Sequence, residues 1–100
     1  MGSTYTAYVS KSMMERAAPL VDSGEFDTMS ELLRFAIRTF YEWLMREDVT
    51  SLRHVIRGEV IKRNLPISDV VIEGILSRGL VSKTEIPDYA LDHYLGTRGL

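Results

Sequence analysis

A long, broadly apolar helix predicted near the middle of the chain constrains the fold most. Thr28-Met29-Ser30-Glu31 fits the capping-box pattern, in which Ser or Thr caps a helix and Glu follows three residues later. We predict that this helix runs to about Met45. On a helical wheel its polar residues lie within an arc of roughly 80°: Glu31, Arg34, Arg38 and Glu42. Because almost all the remaining circumference is apolar, the helix must be buried on several sides.

The segments before this helix are too short to cover it. Thr4 to Val9 alternates between apolar and polar positions, which predicts a short half-buried strand. Ser10 or Ser12 can then cap a helix through Val21, although Pro19 should bend or shorten it. We therefore expect a homodimer, with higher oligomers as an extension of it. Its predicted core holds Tyr5, Ala7, Val9, Leu33, Ile37, Phe40 and Tyr41.

Three further helices are predicted in the second half of the chain. Thr50 can cap residues 51–64, Ser68 can cap residues 69–77, and Thr84 or Pro87 can open a last helix to Leu95. We find no internal repeat. The expected organisation is a first domain over residues 1–48 and a helical extension over residues 49–100, which would serve oligomerisation or bind a partner or effector.

Composition places few demands on the environment of the protein. Cysteine is absent, which excludes disulfides and thiolate metal sites and is typical of the reducing cytoplasm. The first residues have no secretory leader pattern, and no apolar run approaches the roughly 20 residues that span a bilayer. A cytoplasmic protein without membrane contact is expected. The formal net charge of −2 means that any DNA-binding surface must be a local patch.

The order of strand, helix, glycine turn and capped apolar helix resembles the ribbon-helix-helix family, which includes the CopG-like and MetJ/Arc-like repressors. The resemblance covers about residues 4–45. It is carried by Thr6-Ala7-Tyr8-Val9-Ser10, Met13-Met14, Leu20-Val21, Ser23-Gly24-Glu25-Phe26 and Ser30-Glu31-Leu32-Leu33-Arg34-Phe35-Ala36-Ile37-Arg38. It implies a mainly α fold: a homodimer with one short N-terminal strand per chain and a C-terminal helical extension.

The resemblance also implies a DNA interface. In the family, the N-terminal strands of two chains pair into an antiparallel ribbon that enters the major groove. Outward-facing Thr4, Thr6 and Tyr8 would then contact bases, where the family more often has Arg, Lys, Asn or Gln. The start of the second helix binds phosphate, which implies contacts from Thr28, Met29 and Ser30, with Lys11 as a further candidate. The alternative is that these are ordinary strand and cap residues.

Two sets of arginines remain. Arg53 and Arg57 would share one face of the predicted helix over residues 51–64, either as flanking phosphate contacts or as a solvated face. Arg34 and Arg38 lie beside Glu31 and Glu42, which favours pairs within the helix over DNA contacts.

No catalytic or metal-binding motif stands out. His54 and His93 are isolated, and the His and Cys cluster of the nickel-responsive relatives is missing. Phosphate loops, nucleophile elbows and paired carboxylates are not found. We expect neither an enzyme nor a cofactor, and we expect Phe40, Tyr41 and Trp43 to be core residues rather than a ligand cage.

These inferences together favour a sequence-specific, DNA-binding transcriptional regulator, a repressor or autoregulator. The rival hypothesis is the antitoxin of a toxin–antitoxin pair, which would bind its toxin through the C-terminal half. Such segments order only on the partner, whereas here the C-terminal half carries caps and apolar faces. A dimeric interaction module without DNA binding is a third reading.

Overall fold

The computed structural model describes residues 3–100. Two strands and four α-helices follow one another along the chain. They are β1 (Thr4–Ser10), α1 (Lys11–Asp22), α2 (Met29–Arg46), β2 (Val60–Pro66), α3 (Asp69–Leu76) and α4 (Ile86–Thr97), with a 3-10 turn over Lys83–Glu85 before α4. The mainly helical character is confirmed, but the structure has two strands where one was predicted.

The first three elements agree with the expectations. The strand β1 alternates, with Tyr5, Ala7 and Val9 buried. Helix α1 contains Pro19 near its end and is followed by Gly24, whose φ of +83° suits a residue without a side chain. Helix α2 begins after Thr28, whose side chain accepts a hydrogen bond from the Glu31 N–H at 3.1 Å.

The prediction of a helix over residues 51–64 is wrong. Residues 48–58 have no regular secondary structure, and β2 follows them. Gly58 weakens a helix at this point by roughly 1 kcal/mol relative to Ala. The β-branched Val60 and Ile61 instead favour an extended strand. Pro66, at the last position of β2, is tolerated there because this is the edge of a two-stranded sheet.

The fold reveals an internal repeat that the sequence analysis missed. Each half of the chain runs strand, helix, positive-φ glycine and capped helix, with Gly79 (φ +70°) in the place of Gly24. Aligning Thr28 with Ser82 brings Glu31 onto Glu85. It also aligns three pairs of buried residues: Leu32 with Ile86, Ala36 with Ala90, and Ile37 with Leu91. The chain therefore consists of two strand–helix–helix units.

The two units meet through their strands. Strand β1 pairs antiparallel with β2, from Thr4 opposite Pro66 to Ser10 opposite Val60. The middle residues of the two strands, Ala7 and Arg63, face each other, so an approximate two-fold axis passes through this pair. The ribbon is thus formed within one chain.

Most of the apolar circumference of α2 is covered by the same chain, although Phe35 and Met45 are exposed. Leu33, Ile37 and Phe40 are fully buried, and α4 packs along α2 with buried Leu91 and Leu95. Among the residues predicted for a dimer core, only Tyr41 is half-buried, and the others are buried within one chain. The segment predicted as an extension therefore supplies most of the cover that was expected from a second subunit.

Within residues 3–100, no helix combines the length and the apolar character needed to span a lipid bilayer.

Candidate nucleic-acid interface

The outer side of the two-stranded sheet is polar in its middle, with exposed Val60 and Pro66 at its two ends. Because residues opposite each other in an antiparallel pair point to the same side, Thr6 shares this side with Asn64, and Tyr8 shares it with Lys62. We call Thr4, Thr6, Tyr8, Lys62 and Asn64 the ribbon face. Thr4, Lys62 and Asn64 are exposed, and Thr6 and Tyr8 are half-buried.

The ribbon face is held by the core beneath it. Tyr5, Ala7, Val9 and Leu65 point inward and are buried, which fixes the outward direction of their neighbours because side chains alternate along a strand. On the face itself, the Thr6 hydroxyl donates to Oδ1 of Asn64 at 3.2 Å. This bond leaves both amide protons of Asn64 free for another acceptor.

One side of the sheet lies against the start of α2. The guanidinium of Arg63, on β2, donates to the Ser30 hydroxyl at 3.5 Å. Thr28 is exposed, and Met29 and Ser30 are half-buried. The first N–H groups of a helix and its dipole attract anions, and Arg63 adds positive charge beside them. Three residues predicted to contact phosphate are therefore brought together next to the sheet.

The other side of the sheet lies against the start of the second unit's last helix. The Tyr5 hydroxyl donates to the main-chain carbonyl of Lys83, and burial raises the pKa of this phenol. Glu85 accepts hydrogen bonds from the Ser82 main chain at 3.0 Å and from its hydroxyl at 2.9 Å. Those bonds lower the pKa of Glu85, so the carboxylate stays charged and caps the turn.

The charges beside the ribbon face are mixed. Lys11 directly follows β1 and lies 4.0 Å from Glu59, with both side chains mostly exposed. A groove of about 250 Å³ beside β1 is lined by ribbon-face threonines, Tyr8 and Lys83, but also by Asp69 and Glu73 of α3. The β1 side is therefore less favourable to phosphate than the side at the start of α2.

Arg53 and Arg57 do not form the predicted helical face. The Nε of Arg57 donates to the fully buried Asp88 at 2.6 Å, and its other end reaches the Tyr8 carbonyl. Arg53 donates to Asp92 at 2.6 Å, and Arg16 donates to the same oxygen at 3.0 Å. Residues 47–59, which we call the connecting segment, join α2 to β2. Both arginines of this segment hold it against α4.

None of the ion pairs found in residues 3–100 includes Arg34 or Arg38, so the expected pairs within α2 do not form. Phe40 is buried and Trp43 is half-buried, with the ring of His93 stacked on Trp43 at 4.1 Å between centroids. Over residues 3–100, no three His, Cys, Asp or Glu side chains are grouped as metal ligands would be.

Sequence reasoning did not place Lys62 and Asn64 on the ribbon, because it assigned them to a helix whose basic residues, Lys62 among them, were expected either to contact flanking phosphates or to face solvent. A usable signal was present, since Val60-Ile61 and Leu65 flank them after Gly58 and before Pro66. Such a run of residues between breakers is typical of a strand. Comparison of the chain with models of known families, with curated proteins and with solved structures finds no match.

Proposed function

We propose that this protein is a sequence-specific DNA-binding regulator that inserts the β1–β2 ribbon into the major groove. One observation carries the proposal: five polar side chains lie together on the outer face of a two-stranded antiparallel sheet. The major groove of B-DNA admits such a ribbon, and it displays a donor and acceptor pattern that distinguishes all four base pairs.

The side chains of the ribbon face suit this reading. An Asn amide pairs with adenine, Lys donates to guanine, and Thr offers a hydroxyl together with a methyl group that contacts thymine. Asn64 and Lys62 therefore supply the readers that the N-terminal strand lacks. Thr4, Thr6 and Tyr8 contribute the second half of the contact surface.

Phosphate contacts would position the ribbon. The start of α2, with Thr28, Met29 and Ser30, is open to an anion on one side of the sheet. Lys11, which follows β1, and Lys83, which lies beside Tyr5 near the start of β1, are further candidates for phosphate contacts. Few cations are involved, so we expect a shallow salt dependence: about three neutralised phosphates give a slope of log affinity against log salt of about −3. Repression would follow from occupation of a promoter, including the protein's own.

The rival antitoxin function finds less support. Its toxin-binding segment should be unstructured in the free protein, whereas β2 and α4 are part of the core that encloses α2. A toxin or another protein as partner stays a prediction without an observation that favours it.

The test is selection of binding sites from a random duplex library, followed by fluorescence anisotropy on the enriched duplex. Wild-type protein should prefer that duplex over a scrambled one. Lys62→Ala and Asn64→Ala should each reduce the preference by roughly tenfold, and Thr6→Ala and Tyr8→Ala should relax it.

Arg46→Ala is the matched control. This exposed arginine ends α2, at the opposite end of the helix from the sheet, and among residues 3–100 its ion pair is with the neighbouring Glu47 at 3.8 Å. It removes one positive charge and should leave the preference unchanged. If no duplex is enriched at about 50 mM salt, where phosphate contacts are strong, the proposal is wrong.

A further inference from the structure

We infer that one chain is a complete DNA-reading unit whose site is asymmetric, without the inverted repeat that a ribbon of two identical strands would read. The inference rests on the proposed function and concerns the kind of DNA that is recognised. It follows from the pairing of two different strands within one chain.

The approximate two-fold axis makes the difference explicit. It passes between Ala7 and Arg63 and relates Thr6 to Lys62 and Tyr8 to Asn64. In a symmetric ribbon, related positions carry the same residue, so both halves of the site have the same sequence. Here a hydroxyl occupies each of the two positions on β1, while an ammonium and an amide occupy the related positions on β2.

The two halves of the site should therefore differ in the bases they prefer. Lys62 favours guanine and Asn64 favours adenine under β2. On β1, Thr6 and Tyr8 are uncharged and do not supply a cation for guanine. The methyl group of Thr6 instead favours contact with the methyl group of thymine. One good base contact discriminates by a factor of roughly ten or more, so the orientation of the ribbon on the duplex should be fixed.

The surroundings of the two strands strengthen this asymmetry. Beside β2 lie Arg63 and the start of α2, which attract phosphate. Beside β1 lie the carboxylates of Asp69 and Glu73 together with Lys83, in the groove that Thr4 and Tyr8 also line. The two carboxylates offset the charge of Lys83, so contacts with the DNA backbone should be tighter on the β2 side.

The core gives no reason for a second chain at the site. The faces of α2 that hold Leu33, Ile37 and Phe40 are enclosed by the same chain. Both strands of the ribbon, β1 and β2, also belong to this chain. One chain can thus present the whole ribbon to one stretch of groove.

Selection from a random duplex library, followed by native mass spectrometry on the shortest bound duplex, tests the inference. We expect an enriched motif that is not palindromic, with one chain per duplex. Replacing one half of the motif with the inverted copy of the other should weaken binding roughly tenfold. A palindromic motif under the ribbon, or two chains on the shortest duplex, would overturn the inference but leave the proposed function intact. Failure to enrich any sequence would instead overturn the proposed function.

Two double variants make the strands alike. Lys62→Thr with Asn64→Tyr gives β2 the base-contacting side chains of β1. Thr6→Lys with Tyr8→Asn gives β1 those of β2. Each should shift the enriched motif toward an inverted repeat. The first variant should keep the half of the motif that β1 contacts, and the second should keep the half that β2 contacts. Circular dichroism matching the wild type shows that a variant is folded. A folded variant that still selects the wild-type asymmetric motif would show that the ribbon is not the source of the asymmetry.

Discussion

The carboxylate of Asp88, fully buried near the start of α4, accepts two hydrogen bonds from Ser10 at the end of β1. The main-chain N–H of Ser10 donates to Oδ1 at 2.8 Å, and its hydroxyl donates to Oδ2. The same carboxylate binds Arg57, which also reaches the Tyr8 carbonyl. One buried charge therefore ties the first strand, the connecting segment and the last helix together beneath one end of the ribbon.

Asp88→Asn should destabilise the protein strongly. The asparagine can still accept from the Ser10 N–H, but it cannot neutralise Arg57, whose side chain is only 22% exposed. Breaking a buried ion pair by removing one partner costs about 3–5 kcal/mol. Urea unfolding followed by circular dichroism measures the loss in the free energy of unfolding.

Two further variants separate charge from packing at this site. Adding Arg57→Met to Asp88→Asn removes the unpaired charge and should recover a substantial part of the stability. Glu47→Gln, which breaks the exposed pair with Arg46, should change the free energy of unfolding by less than about 1 kcal/mol. If the double variant is no more stable than Asp88→Asn alone, the ion pair does not explain the loss.

The ring of Tyr41 packs so closely against Gly74 that a side chain at position 74 should clash with it. A Cβ built on Gly74 lies 2.9 Å from Cδ1 of this ring and closer still to Cε1. Overpacking costs about 1–3 kcal/mol, whereas Ala in a helix gains about 1 kcal/mol over Gly. We therefore expect Gly74→Ala to lower the thermal midpoint, and to be tolerated when Tyr41→Leu provides space.

Gly96 is the matched glycine for this test. It also lies in a helix, α4, and a Cβ built there meets nothing within 4 Å. Gly96→Ala should therefore raise stability by up to about 1 kcal/mol. Equal effects of the two substitutions would show that α3 and α2 are not in close contact at Gly74.

Mild acid should weaken the fold through His93. Partial burial lowers the pKa of His93, and Asp92 offsets this only in part. Below the ordinary pKa near 6.5 the unfolded chain then binds more protons than the folded chain, so stability decreases as the pH falls. The carboxyl groups of Glu25, Glu85 and Asp92 have lowered pKa values and lose their contribution only in more acidic solution. Urea unfolding at pH 7.5 and pH 5.5 measures the difference.

His93→Phe keeps a ring on Trp43 and removes the titrating group. It should flatten the change in stability between these two pH values. An unchanged pH dependence in His93→Phe would assign the effect to another residue.

Local signals accounted for the first unit of the fold. Three of its features are short-range: the alternation in β1, the glycine after α1 and the Thr28 cap. Each can be predicted from neighbouring residues alone, without knowledge of the element against which it packs. Ser68 likewise caps α3 as predicted, accepting from the Val70 N–H at 3.2 Å. Ser10 differs, since it precedes α1 but its hydroxyl is used by Asp88, a residue far along the chain.

The second unit was missed because its identity depends on pairing. Val60 to Pro66 is short and mostly exposed, and it becomes a strand through its hydrogen bonds to β1. The repeat was hidden because similar positions carry opposite charges: Arg34 and Arg38 align with Asp88 and Asp92. These two aspartates bind Arg57 and Arg53. The connecting segment is therefore held by carboxylates that the first unit does not have at the equivalent positions. The apolar circumference of α2 predicts a second subunit, but most of the cover comes from residues later in the same chain, which the local sequence of α2 does not reveal.

Pairing of β1 with β2 within one chain can be tested with a disulfide. Thr6 and Asn64 are direct partners. The Lys11 N–H donates to the Glu59 carbonyl at 2.8 Å, and hydrogen-bonded and non-hydrogen-bonded pairs alternate from there. Thr6 and Asn64 thus form a non-hydrogen-bonded pair, the kind with closer side chains. The chain has no cysteine, so Thr6→Cys with Asn64→Cys introduces the only two thiols. Oxidation should link them within one chain, giving a faster band of monomer mass on a non-reducing gel.

Thr6→Cys with Val60→Cys provides the control, because Val60 pairs with Ser10 at the far end of the ribbon. Four residues along a strand separate these positions by roughly 13 Å, well beyond the Cβ–Cβ distance of about 4 Å that a disulfide needs. This variant should stay reduced under the same conditions. A ribbon formed between two chains would instead link the Thr6→Cys/Asn64→Cys variant into covalent dimers or leave it unlinked. Either result would contradict the intrachain pairing of β1 with β2, on which the asymmetry of the site depends.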